Sequence, residues 1–116
     1  MNFLSHYYYD RRENKPYYNL GLILPDLLRN FVPGTKIEAD TAKHSNTTGL
    51  DLKDGCLTHV SSDIKFHDWE GFKGLMSEAT QFMRSSKHPI ERDFFVSHIF
   101  IELLLDRQLL LRHPDL

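Results

Sequence analysis

Three ligand-type side chains recur four residues apart in the most apolar stretch of the chain: His98, Glu102 and Asp106 in VSHIFIELLLDRQLLL, residues 96–111. Four residues is close to one helical turn, so the three would lie along one side of a helix. A second stretch, HVSSDIKFH, repeats the spacing with His59, Asp63 and His67. Imidazole nitrogens and carboxylate oxygens are the donors that hold zinc, manganese or iron, and i,i+4 spacing lets two of them reach one ion. The chemistry such an ion would supply is hydrolysis: it lowers the pKa of a bound water and polarises a phosphoryl oxygen.

Each pattern also has a plain structural reading. Ser61, Ser62 and Lys65 surround the second stretch, so His59, Asp63 and His67 also fit a solvated helix face. Glu102 and Asp106 lie among Ile, Leu and Phe, where an unpaired carboxylate is costly. They fit either a site or a narrow exposed stripe paired with Arg or Lys. Asp26, behind Pro25, reads first as a helix cap. His6, among apolar and aromatic residues, reads first as a hydrogen-bonded core histidine. His44, His88 and His113 sit in polar, turn or terminal stretches and carry no assigned role. Asp68, Trp69 and Glu70 suit a pocket mouth, although tryptophan is more often core. There is no Gly-rich phosphate loop, CxxC pair, GxSxG elbow or HExxH motif; the lack of the first argues against nucleotide binding by a P-loop or Rossmann route.

The elements that would position these groups are helical. From residue 17 to 32, Leu20, Ile23, Leu24, Leu27, Leu28 and Phe31 recur at helical spacing, with Pro16 suited to the first turn and Pro25 expected to kink or divide the helix. Residues 35–49 read as a polar loop with a short helical turn around 37–43. Helices follow over residues 50–65, 72–84 and 90–112, with a break at 67–71 and a turn at 85–89. Residues 1–9 are helix or strand; periodicity does not decide. The expected fold is all-α: a compact bundle of about five helices in one domain spanning residues 1–116.

The totals set outer limits. The chain has 116 residues, 41% hydrophobic, 26% charged, with net charge -2 and a pI near 6.4. That size suits one core, and that charge argues against a general nucleic-acid binder. The one cysteine, Cys56, excludes an internal disulfide, fits a reducing compartment such as the cytoplasm, and reads as a packing residue. The last apolar run is too interrupted by polar residues to span a membrane, so no membrane partner is expected.

Several segments resemble one family, the bacterial acyl carrier protein phosphodiesterases. The opening MNFLSH resembles the family's MNFLAH start. Residues 21–31, GLILPDLLRNF, are similar to its GNLLGDF region. Gly55–Asp63, with His59 and Asp63, resembles a G-x-x-x-H-R-x-x-D segment, and VSHI at 96–99 sits where the family has W-D-H-F. The segments occur in order and cover the N-terminal two-thirds of a usual member. The resemblance implies an all-α fold related to the HD-type metal-dependent phosphohydrolases. It implies a divalent ion, manganese first, with Fe2+, Zn2+ or Mg2+ as alternatives. It also implies hydrolysis of the phosphodiester joining 4′-phosphopantetheine to acyl carrier protein, or of a related small phosphoester.

Carried over by position, Asp26, His59, Asp63 and His98 match the motifs, with His6 a further match. His67, where the family has aspartate, is an added metal candidate, and Glu102 an added catalytic candidate beside Asp63 and His98. Val60 and Ser97 replace a family arginine and aspartate and cannot ligate. Arg11, Arg12, Lys15 and Arg29 are candidates to meet an acidic carrier or the phosphate. The competing expectation is a non-catalytic helical binding or assembly domain in which the site has been lost.

Overall fold

The computed structural model describes residues 1–31 and 47–116. Among them are five helices and no strand: α1 (Phe3–Asp10), α2 (Pro16–Phe31), α3 (Thr47–Asp68), α4 (Glu70–Arg84) and α5 (Asp93–Arg112). The all-α expectation holds. The helical turn expected around 37–43 lies outside the described residues. None of the five helices is long and apolar enough to cross a membrane. Packing divides the chain into two compact units, Met1–Ile64 and Lys65–Leu116, and each is described by itself.

In the first unit the undecided N-terminal stretch is a helix. Asn2 caps α1, its side chain accepting from the Phe3 N–H, and α1 buries Ser5 and His6. The turn into α2 is closed by a reciprocal pair: the Arg12 N–H donates to Asn19 Oδ1 and the Asn19 side-chain amide donates to the Arg12 carbonyl, both at 2.9 Å. Asn14 in that turn takes a positive φ of 57°, which asparagine tolerates better than most residues. Pro16 opens α2, as expected of a proline with no N–H to leave unsatisfied. The helix then continues through Pro25 as one element, so of the expected kink or division the division does not occur. Pro25 has no N–H to return to the Gly21 carbonyl, and Gly21 is where α2 meets α3.

That meeting is unusually close. A Cβ built on Gly21 would lie 2.3 Å from the Leu52 carbonyl oxygen, and one built on Gly55 would lie 2.1 Å from the Tyr18 carbonyl oxygen. The obstacles are backbone, which cannot rotate aside, so only glycine at both positions lets the helices approach this far. Tyr18, Leu22 and Cys56 are buried around the contact, and Arg12 lies over the Tyr18 ring 4.0 Å from its centroid.

In the second unit α4 begins almost where α3 stops. Trp69 is the single residue between them; it is exposed, not core. Phe72, Met76 and Ile101 form the buried centre, with Phe66, Ala79 and Leu105 packed against it. α5 begins at Asp93 and not at residue 90. Arg92 sits at φ 59°, a left-handed conformation that ends any helix reaching it from the N-terminal side. Asp93 then caps locally, accepting from the Phe94 N–H at 2.7 Å and pairing with Arg84.

Gly21→Ala or Gly55→Ala should destabilise the protein by about 1–3 kcal/mol, because helix backbones must separate to admit a methyl group. Gly74, in α4, has no atom within 4 Å of the place a Cβ would occupy, so Gly74→Ala should stabilise by about 0.8–1 kcal/mol through helix propensity alone. Urea midpoints of the three variants check the signs.

Candidate metal centre

The helix contact at Gly21 and Gly55 fixes which side chains meet. Leu22 follows Gly21, and His59 lies one turn beyond Gly55. His59 Nδ1–H donates to the Leu22 carbonyl at 2.7 Å. A carbonyl can only accept, so this bond places the proton on Nδ1 and leaves the Nε2 lone pair bare. Nε2 lies 3.7 Å from Asp26 Oδ1. His6 from α1 stacks on the same imidazole, ring centroids 3.8 Å apart and planes 25° from parallel.

His6, Asp26 and His59 each bring one ligand atom to within 4.8 Å of the others. His6 and His59 are almost fully buried. Neither His6 nitrogen has a hydrogen-bond partner, and Asp26 Oδ2 has none. His6 is therefore a core histidine, but not the hydrogen-bonded one expected. Asp26 is not a cap: it lies well inside α2. Asp63 stands at the edge of the group, its Oδ1 3.7 Å from His6 Nε2, and pairs with the N-terminal ammonium of Met1.

The electrostatics follow from the burial. Burial lowers the pKa of His59 from 6.5 to about 4, and the adjacent His6 adds to the effect; the Leu22 bond and the Asp63 charge oppose it. His59 is thus a neutral imidazole at physiological pH, the form that ligates metals. Burial also raises the Asp26 carboxyl above its ordinary value, against the opposing pull of His6 and Arg29. Bare Nε2, Asp26 and His6 thus face one another with no proton donor assigned between them. The donor types suit a divalent ion: the implied group would be held by the unbonded atoms of His6 and Asp26 and by Nε2 of His59, once the stacked rings turn to aim their in-plane lone pairs at it. The Nδ1–H bond to Leu22 is the outer-shell contact that usually orients a metal-bound histidine.

The remaining candidates belong to the second unit. His67, His98 and Glu102 come together there. Asp106, third in the sequence stripe, is buried and is not in that group. Ser97, where the resemblance has aspartate, is fully buried and accepts from Thr80 Oγ1 at 3.2 Å; its position serves the contact of α4 with α5. Val60, where the resemblance has arginine, is exposed. Cys56 is buried as expected, and burial pushes its thiol up. Arg12 pairs with Asp54 at 3.0 Å and Lys15 with Asp51 at 3.3 Å, so both already have carboxylate partners. Gly21 and Gly55 are visible in the motifs, but only the structure shows that they face each other.

In chelator, protein stability should fall as pH drops from about 6.5 to 4. The unfolded chain protonates His59 near 6.5, the folded chain only near 4, so protons favour the unfolded state across that window. The full effect is on the order of 3 kcal/mol. Asp26 acts in the opposite sense in both proteins, so urea midpoints of wild type and His59→Gln isolate the histidine; the variant should show the shallower decline. Against known proteins, no family model, curated sequence or solved structure matches the chain.

Proposed function

We propose that His6, Asp26 and His59, with Asp63 at their edge, hold a divalent ion, and that the protein is a metal-dependent phosphodiesterase. Manganese is the first choice, with iron, zinc or magnesium as alternatives for the same donors. The substrate read from the family resemblance is holo-acyl carrier protein, cleaved at its 4′-phosphopantetheine link, or a related small phosphoester, in the cytoplasm. The observation that supports the ion is the set of buried, unbonded donor atoms on His6 and Asp26 around the bare Nε2 of His59. When bound, such an ion lowers the pKa of a water and polarises a phosphoryl oxygen.

The chain's own residues have separate tasks. His59 is held in its ligating tautomer by Leu22. His6 is held face to face with it, and the low-dielectric surroundings strengthen every charge interaction at Asp26. Asp63, more exposed than the other three, pairs through Oδ1 with the Met1 ammonium and is the carboxylate proposed to take up a proton when that pair opens. His98 and Glu102, singled out from the sequence for the same chemistry, lie in the second unit with His67 and are given no step at this ion.

A second reading has its own observation. α5 leaves Phe94, Phe95, Phe100, Leu103, Leu110 and Leu111 exposed, and exposed apolar side chains gathered on one element are a feature of interaction surfaces. That favours a binding or assembly domain without catalysis.

Metal analysis of protein purified without chelator should find a bound divalent ion, and His59→Ala and Asp26→Ala should lose it. The loaded protein should release phosphopantetheine from holo-acyl carrier protein, with His59→Ala slowed at least about 100-fold. Turnover of a generic phosphodiester but not of the carrier would keep the chemistry and reject the substrate. An ion-free wild type would reject the catalytic reading.

A further inference from the structure

His67, His98 and Glu102 form a triangle of ligand atoms within the second unit. His67 Nε2 is 3.0 Å from His98 Nε2 and 3.2 Å from Glu102 Oε1, and His98 Nε2 is 2.9 Å from the same oxygen. Hydrogen bonds cannot satisfy all three edges. Each imidazole nitrogen offers either one in-plane hydrogen or one lone pair, and so makes one good bond. If both histidines donate to Glu102, two N–H groups confront each other across 3.0 Å. If one histidine donates to the other, at least one edge to the carboxylate sets a ring lone pair against an oxygen lone pair or shares a misaligned hydrogen, whatever else Glu102 accepts. A cation at the centre resolves every edge at once.

The size of the triangle is that of a coordination face. With ~2.05 Å bonds, edges of this length subtend about 90–105° at a common ion, between octahedral and tetrahedral angles. Two histidines and one carboxylate on one face of an ion is a recurrent arrangement for zinc and non-haem iron. The surroundings hold the face in place. Phe72 is buried and meets both rings edge-on, 5.1 Å from His67 and 5.4 Å from His98. Glu102 and His98 are one turn apart on α5, so a rigid helix sets their spacing.

His67 and His98 also line a cavity of about 740 Å³, together with Phe72, Met76 and Phe94. It provides the entry path that a metal site requires. The cations on its wall are already engaged, Lys73 with Asp68 and Glu70, and Arg84 with Asp93. The cavity therefore is not a phosphate pocket built on bare charge.

We propose that His67, His98 and Glu102 bind a divalent transition-metal ion of the zinc or iron(II) class in the second unit, in addition to the ion assigned to His6, Asp26 and His59. The inference does not depend on the phosphodiesterase reading. The test is titration of the chelator-stripped full chain with Zn2+ by calorimetry and with Co2+ by visible absorption. Wild type should take up two ions. Glu102→Gln and His98→Gln should each lose one, or bind it at least about tenfold more weakly, while keeping the ion that Asp26→Ala removes. Circular dichroism checks helix content; should His98→Gln lose it, Glu102→Gln decides, since it keeps shape and puts a neutral amide in place of the carboxylate. Uptake of both ions by Glu102→Gln overturns the second site, as does a wild type that binds only the ion lost in Asp26→Ala. A single ion lost in Glu102→Gln and retained in Asp26→Ala upholds this site and rejects the other.

Discussion

The contact between Gly21 and Gly55 is the constraint on which the first unit depends. Two helices whose backbones meet with no side chain between them have their neighbouring turns fixed in register. Leu22, one residue past Gly21, therefore presents its carbonyl to His59, one turn past Gly55. That single hydrogen bond decides the tautomer, and the tautomer decides that Nε2 faces Asp26 as a lone pair. Pro25 acts on the same turn of α2 by removing the donor that would have met the Gly21 carbonyl. Packing is thus converted into chemistry through backbone geometry, with no long side chain needed to aim the site.

A buried cluster assembled this way carries a stability cost. Orphaned imidazole and carboxylate atoms lose their water without gaining a partner, and burial holds His59 neutral far below its usual pKa. Native structures keep such groups where a ligand or ion completes them. The second unit shows a related tension in another form: its three donors are close enough to interact, but too close for protons alone to reconcile. In both units an aromatic or heteroaromatic ring supports the donors, His6 on His59 in one and Phe72 on His67 and His98 in the other.

The helices were legible because apolar periodicity is a local property. Leu20, Ile23, Leu24 and Leu27 announced α2, and Pro16 marked its start. α1 was not legible: three consecutive tyrosines carry no period, and its helix depends on the Asn2 cap and on burying His6. The late start of α5 escaped because Arg92 at positive φ has no sequence marker. The ligand stripes were half legible. Spacing identified His59, Asp63, His67, His98 and Glu102 as unusual, but put His59 and His67 in one set and Asp106 with His98. Which donors converge is set by partners from other helices. His59 and Asp63 join His6 and Asp26, His67 joins His98 and Glu102, and Asp106 joins neither. The plain readings of His6 and Asp26, a bonded core histidine and a cap, failed because both are tertiary in origin.

The most direct measurement is an anomalous difference map from crystals grown with Mn2+. A peak bonded to His59 Nε2, a nitrogen of His6 and a carboxylate oxygen of Asp26 is expected, with His59 Nδ1 still donating to the Leu22 carbonyl. An absence of density there at saturating Mn2+, with Asp26 hydrogen-bonded as a neutral acid to His59, would contradict the metal assignment.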